Sequence, residues 1–180
     1  NLIYLYISGI DYQMPSVMIQ SDAILISMDF YLDDYGIYDY VGLPRYYSLR
    51  CNTSYTTRDL AQTIYSSYIE RNEAQKDALT EMIKAGKRLY FVEALNPTLP
   101  DSIIMGYSSK QMQWAENYEA DVWAALVGNN MLYSNTKDNF RALFGDGPFT
   151  QAFSNDAPAR LGEYLGLQII RSYMTNNDVS

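Results

Sequence analysis

The apolar residues near the C-terminal end of the chain recur at helical spacing. Over 158–176 they occupy more than one face of a helix, at Leu161, Tyr164, Leu165, Ile169, Tyr173 and Met174. Apolar positions on several faces are typical of a helix packed within the core rather than on the surface. Asp156 suits the N-cap and Pro158 the first turn. The pattern predicts a helix of about four to five turns, with the rest of the chain packed around it.

Helical periods also recur through the middle of the chain. Thr56 begins one such segment, and Ser108 with Gln111 forms a capping box before the longest one, over 110–127. A further helix is expected from Asn72 to a C-terminal cap at Gly86. The segment 87–95 is expected to be helical, with a short strand as the alternative, and a short helix is expected over 138–144.

Two apolar, β-branched and aromatic runs at the N-terminal end, 2–10 and 23–32, have the composition of strands. The connection between them is too short for a helical crossover, which favours antiparallel pairing. The tyrosine-rich segment 38–50 is expected to be a loop. Together the elements predict an α+β fold, mostly helical, with a small N-terminal antiparallel β-sheet packed on the central C-terminal helix. A chain of 180 residues with this apolar content fits a single domain over 1–180.

Gly162 and Gly166 stand inside the predicted C-terminal helix, where each glycine costs about 1 kcal/mol relative to alanine. One interpretation is a small-residue seam, in which positions four apart let a neighbouring strand or helix approach closely. The other starts from Gly162-Glu163-x-x-Gly166, which has the form of the zinc-protease signature His-Glu-x-x-His with both histidines replaced. Because the chain contains no histidine, the usual zinc site cannot be assembled, and neither a metal nor another cofactor is expected.

Five stretches of the sequence carry a resemblance to a known family by their content and their order. They are Ser-Met-Asp-Phe-Tyr-Leu (27–32), Gly-Leu-Pro-Arg-Tyr (42–46), Gly-Lys-Arg-Leu-Tyr-Phe-Val-Glu-Ala-Leu-Asn-Pro (86–97), Gly-Pro-Phe-Thr (147–150) and Gln-Ile-Ile-Arg-Ser-Tyr-Met (168–174). Together they resemble the gliding motility-associated lipoprotein family of the GldB type. That family is similar to predicted zinc-dependent proteases of the zincin type. The resemblance therefore implies a zincin-like fold for this chain.

The same resemblance implies a place in the cell. Members of the family are lipid-anchored in the envelope of bacteria that glide or use the associated secretion machinery, facing the periplasm or the cell surface. Envelope proteins are then the expected partners. A lipidated cysteine and further strands are expected upstream of Asn1, where the sequence begins within a strand-like run without an initiator methionine or a signal segment. The membrane would be reached only through that anchor.

The composition argues against several other classes of partner. The net charge of −8 disfavours nucleic acid and anionic lipid surfaces, because both require a basic patch. No apolar run approaches the 18 or so residues of a membrane-spanning helix. A single cysteine, Cys51, permits no internal disulfide. The sequence also lacks phosphate-binding, dinucleotide-binding and calcium-loop motifs.

Glu163 is the candidate for chemistry, with Asp29 or Glu93 as a second carboxylate. The structural alternative for Asp29 and Glu93 is that each faces solvent or meets an arginine. The acidic residues of the longest helix are likewise interpreted as a solvated face rather than as metal ligands: Glu116, Glu119 and Asp121. The remaining candidates shape the cleft or the structure: Arg160, Gly162, Gly166 and Arg171.

Three hypotheses of function follow. The favoured one is a non-catalytic, zincin-like envelope lipoprotein that acts as a binding or assembly component, because the resemblance supports it and the missing histidines require it. The alternative is a metal-independent hydrolase that uses Glu163 as a general acid or base within a cleft. In the third, the C-terminal helix is purely structural, the function lies at an aromatic surface, and Glu163 pairs with Arg160 or is exposed.

Overall fold

The computed structural model describes residues 2–68, 77–150 and 153–177. The chain divides into two compact units, Asn1–Arg71 and Asn72–Ser180. The first contains a small β-sheet with three helices, and the second is helical in its described parts. The fold is thus α+β and mostly helical, as the sequence predicts. The single domain and the packing of the sheet on the C-terminal helix concern both units together, and they stay predictions.

The sheet of the first unit is mixed. Its strands are β1 (Leu2–Tyr6), β2 (Val17–Gln20) and β3 (Ala23–Ser27), in the order β1-β3-β2. β2 and β3 form an antiparallel hairpin, whereas β1 pairs with β3 in parallel. The predicted antiparallel pairing of the two N-terminal runs is therefore wrong. The reason is β2, which lies between the two runs in sequence and pairs with one edge of β3 in the antiparallel direction. β1 pairs with the other edge of β3 and runs in the same direction as β3.

The described part of the first unit also contains three α-helices: α1 (Tyr35–Tyr40), α2 (Arg45–Ser48) and α3 (Thr56–Tyr68). Two short 3-10 helices lie at Met28–Phe30 and Thr53–Tyr55. The helix predicted from Thr56 is confirmed. The loop predicted over 38–50 is wrong, since it contains the end of α1 and all of α2. Asp34 caps α1 by accepting a hydrogen bond from the Gly36 nitrogen at 3.0 Å. Tyr38 is fully buried in α1, and its hydroxyl donates to the Asp29 carbonyl oxygen at 2.9 Å.

The described helices of the second unit are α4 (Ala78–Leu95), α5 (Asp101–Met105), α6 (Ser109–Gly128), α7 (Lys137–Phe144) and α8 (Leu161–Asn176). The capping box of Ser108 and Gln111 is present before α6. The helices predicted over 87–95 and 138–144 are confirmed as parts of α4 and α7. The predicted cap at Gly86 is wrong, because α4 continues through it. The predicted start of this helix at Asn72 lies outside the described residues.

Helix α8 packs chiefly against α4, and further contacts reach α6 and α7. Buried residues lie on several of its faces: Leu161, Tyr164, Leu165, Leu167 and Ile170. The predicted packing on several sides is therefore found within this unit. The helix begins later than Pro158, since Arg160 adopts a left-handed conformation, with φ of 59°, that interrupts the helical backbone.

Candidate functional site

Glu163 lies in the first turn of α8 and is paired with two arginines. Its Oε1 lies 3.2 Å from Nη2 of Arg88 on α4, and its Oε2 lies 3.7 Å from Nη1 of Arg160. Only 14% of the side chain is exposed. Both carboxylate oxygens therefore face guanidinium groups, and the helix N-terminus adds a favourable dipole. The pair with Arg160 is the one that the structural interpretation of this helix predicts.

Arg160 is buried and joins the start of α8 to neighbouring segments. Its Nη2 donates to the carbonyl oxygen of Met105 at 2.7 Å, and its Nε lies 3.4 Å from Oδ1 of Asp146. The guanidinium carbon also lies 5.7 Å from the ring centre of Tyr107, in a cation–π arrangement. These contacts stabilise a left-handed backbone that costs a non-glycine residue about 1–2 kcal/mol.

Arg171 binds two carboxylates from other helices. Its Nε donates to Oε2 of Glu93 on α4 at 2.9 Å, and Nη1 and Nη2 donate to the two oxygens of Asp101 at 2.7 and 2.6 Å. The hydrogen bonds to Asp101 are the largest cause that raises the pKa of Arg171 above its ordinary value. Glu93 thus meets an arginine, as its structural alternative predicts. Glu93 and Glu163 are held by different cations.

Asp29 follows β3 in the first unit and is 5% exposed. Its carboxylate accepts hydrogen bonds from the Ile10 nitrogen at 2.8 Å, from the nitrogen and hydroxyl of Ser8, and from the Ser27 hydroxyl. Burial raises the pKa of this carboxyl group, but the hydrogen bonds from Ser27, Ile10 and Ser8 outweigh burial and lower the pKa to about 2. Asp29 therefore neither faces solvent nor pairs with an arginine, and it fastens the loop after β1 to the end of β3.

The two glycines of α8 both lie against close neighbours. A β-carbon on Gly166 would overlap the carbonyl oxygen of Met82, and one on Gly86 would overlap the carbonyl oxygen of Gly166. A β-carbon on Gly162 would lie 2.6 Å from a ring carbon of Phe144. The predicted small-residue seam is present, and the element that approaches Gly166 is a helix. This backbone contact leaves no room for an imidazole at position 166.

Three partners in these ion pairs were missed by the sequence analysis: Arg88, Asp101 and Asp146. Each is an ordinary charged residue in its own segment, and only the folded structure brings it to its partner, Glu163, Arg171 or Arg160 respectively. In residues 2–68, 77–150 and 153–177, no group of three or more histidine, cysteine, aspartate or glutamate side chains is placed to hold a metal ion. Over the same residues, none of the helices combines the length and the apolar character needed to cross a bilayer.

A cavity of about 310 Å³ lies between α6 and the loop that precedes α8. Its lining residues include three aromatic rings and two carboxylates: Trp114, Tyr118, Asp121, Phe153 and Asp156. The ring centres of Trp114 and Tyr118 lie 4.8 Å apart. Asp121 thus lines the cavity in addition to lying on the acidic face of α6. Glu119, on the same helix, accepts a hydrogen bond from the Tyr164 hydroxyl at 2.9 Å. The spacing of Trp114, Tyr118 and Asp121 was the available sequence signal.

These features define a mostly helical α+β protein whose carboxylates at the predicted site tie structural elements together. The model of the family described as gliding motility protein GldB matches residues 1–180. The chain belongs to this family, whose name marks its members as gliding-motility lipoproteins of the cell envelope. No curated protein and no solved structure matches the chain significantly. The resemblance to this family seen in the sequence is therefore confirmed, whereas the zincin-like fold stays a prediction.

Proposed function

We propose that this chain is a non-catalytic component of the gliding or associated secretion machinery, and that it acts by binding or assembling other envelope proteins. The observation that carries the proposal is the pairing of Glu163 with Arg88 and Arg160. A general acid or base must exchange a proton with its substrate through a carboxylate oxygen within hydrogen-bond reach. In this structure both oxygens of Glu163 face guanidinium groups, so the residue ties α8 to its surroundings.

The packing at Gly166 supports the same conclusion. In the zinc-protease signature, two imidazoles on one helix face bind the metal. The chain contains no histidine, and a histidine at position 166 would require α4 and α8 to separate. A zincin-like fold with a vacated metal site therefore enters this proposal only as a hypothesis of ancestry.

The metal-independent hydrolase is favoured by no observation. Such chemistry needs two carboxylates directed at one substrate. Glu93 is bound by Arg171, and Asp29 is bound by hydroxyl and backbone groups of the first unit. Each candidate carboxylate therefore has its own structural partners.

A complementation experiment tests the proposal. A strain that lacks the protein receives the full-length chain with Glu163→Gln, which removes the negative charge while an amide oxygen can still accept a hydrogen bond from Arg88. Glu116→Gln, at an exposed position on α6, is the matched control. We expect both variants to restore gliding to the wild-type rate at equal protein levels in immunoblots. Loss of gliding with Glu163→Gln alone, at an unchanged protein level, would contradict a non-catalytic role.

A further inference from the structure

We infer that the cavity between α6 and the loop before α8 binds a basic side chain, lysine or arginine, presented by a protein partner. The inference rests on the proposed binding function and names the chemistry of the partner. Its basis is the combination of a concave shape, aromatic walls and negative charge in one place. Nothing in it involves Glu163 or its arginines.

The walls of the cavity are suited to a cation. The faces of aromatic rings carry partial negative charge and attract ammonium and guanidinium groups, and tryptophan does so most strongly. Trp114 and Tyr118 stand one helical turn apart with ring planes inclined by 32°. Phe153 supplies a third ring from the facing loop. A flat guanidinium or the methylene chain of a lysine can contact these rings while its charge stays near the carboxylates.

The charges select the sign of the ligand. Asp121 and Asp156 line the cavity, and among its described lining residues none is basic. An anion would be repelled, and a neutral apolar ligand would gain nothing from the two carboxylates. The net charge of −8 extends the same preference to the whole chain and favours encounter with a basic protein surface.

The size of the cavity limits what it can hold. At about 310 Å³ it lies at the lower end of the range for small-molecule sites, about 300–1,000 Å³. One side chain of a partner suits this volume better than a nucleotide or another large cofactor. A partner side chain also agrees with the envelope proteins that the family membership points to.

The loop wall is held in place by one buried residue. Thr150 donates from its nitrogen to the Ala157 carbonyl oxygen at 2.8 Å and from its hydroxyl to the Pro158 carbonyl oxygen at 2.8 Å. Its own carbonyl oxygen accepts from the Phe153 nitrogen at 3.2 Å. Thr150 therefore joins the described residues Phe153, Ala157 and Pro158 by hydrogen bonds that need no ligand, which reduces the entropy lost on binding.

NMR titration of the whole chain tests the inference, because its two tryptophans give two indole N–H signals. The probe is acetyl-Gly-Arg-Gly-amide, with the lysine peptide in parallel and the citrulline peptide as the neutral isostere. We expect saturable shifts of the Trp114 signal with the two basic peptides and none with citrulline. Trp123 is the internal reference, since nine residues place it on the opposite side of α6.

Variants identify the groups responsible. Asp121→Asn with Asp156→Asn should raise Kd for the arginine peptide about tenfold, and Tyr118→Leu should raise it about threefold. Glu116→Gln with Asp138→Asn changes the net charge by the same amount outside the cavity and should leave Kd within about twofold. Dispersed NMR spectra establish that each variant is folded.

Several results of these titrations would contradict the inference. Equal shifts with the citrulline peptide, equal weakening by the control pair, or no shift of Trp114 would overturn the inference. Tighter binding of choline than of either peptide would assign the cavity to a free ammonium compound instead of a protein side chain. None of these results bears on Glu163, so the complementation experiment remains an independent test of the proposed function.

Discussion

Arg171 and Asp101 form a two-bond pair in which both terminal nitrogens of the guanidinium reach both oxygens of the carboxylate. Only a planar guanidinium matches this geometry, and a lysine keeps the charge while losing one of the parallel bonds. We expect Arg171→Lys to lower the free energy of unfolding by about 1 kcal/mol. Urea unfolding followed by circular dichroism measures the change. Arg141→Lys, at an exposed position, is the control, and an equal loss in both variants would refute the role of the pair.

The depressed pKa of Asp29 predicts a pH dependence of stability. The folded pKa is about 2 and the ordinary value is 3.8, so the carboxylate stabilises the fold above about pH 4. The stabilisation, about 2 kcal/mol in full, is lost as the pH falls towards about 2. We expect Asp29→Asn to be about 2 kcal/mol less stable than the wild type at neutral pH, and the difference to shrink below about pH 4.

Unfolding in urea at a series of pH values checks this prediction. Asp22→Asn, at the exposed turn between β2 and β3, is the control and should stay within about 0.5 kcal/mol of the wild type at neutral pH. A constant difference for Asp29→Asn across the whole range would mean that its charge does not act through these hydrogen bonds.

The contact of α4 with α8 predicts that even a methyl group at position 166 is too large. Gly166→Ala places a carbon on the carbonyl oxygen of Met82, so the helices must move apart. We expect a loss of about 1–3 kcal/mol or more, although alanine favours a helix intrinsically. Gly128→Ala, at the end of α6 with open space where a β-carbon would lie, should be neutral or stabilising. Thermal melts of both variants decide, and equal melting temperatures would show that the backbones are not in contact.

The hypothesis of a vacated metal site has its own test. The variant with Gly162→His and Gly166→His restores two ligands at the spacing of the zinc signature. Since both positions face close neighbours, we expect the double variant to unfold or to melt far below the wild type, with zinc making no difference. Melts with and without zinc measure this. A folded variant whose midpoint rises with zinc would instead support a zincin ancestry.

The helices were predictable where the signal is local. Periodicity and a capping box placed α6, and the same kind of evidence placed α3 and α7. The seam on α8 was also predictable, because two glycines four apart are costly in a helix and need a packing reason. The cap predicted at Gly86 is wrong because glycine often ends helices, whereas this glycine contacts Gly166 on another helix. The residues next to Gly86 in the sequence give no sign of that contact.

The sequence-based predictions are wrong where contacts between residues distant in sequence determine the local structure. β2 is only four residues long, so its sequence pattern does not predict a strand, and its pairing with β3 stabilises it. The start of α8 depends on Arg160, whose left-handed backbone is stabilised by contacts to Met105 and Asp146. Three of the seven described lining residues of the cavity come from a loop without periodicity. The sequence could therefore assign Trp114 and Tyr118 to one helix face but not to a concave site.

The glycine contact also restricts the spacing along α8 between Gly166 and Arg171. Helix α8 contacts α4 at Gly166, against the backbone of Met82 and Gly86, and again at Arg171, which binds Glu93. Because backbone meets backbone, the register cannot be reset by exchanging side chains. A single residue inserted between Gly166 and Arg171 would leave the contact intact but rotate everything beyond it by about 100°. Arg171 would then turn away from Glu93, so insertions and deletions here would be less tolerable than most substitutions.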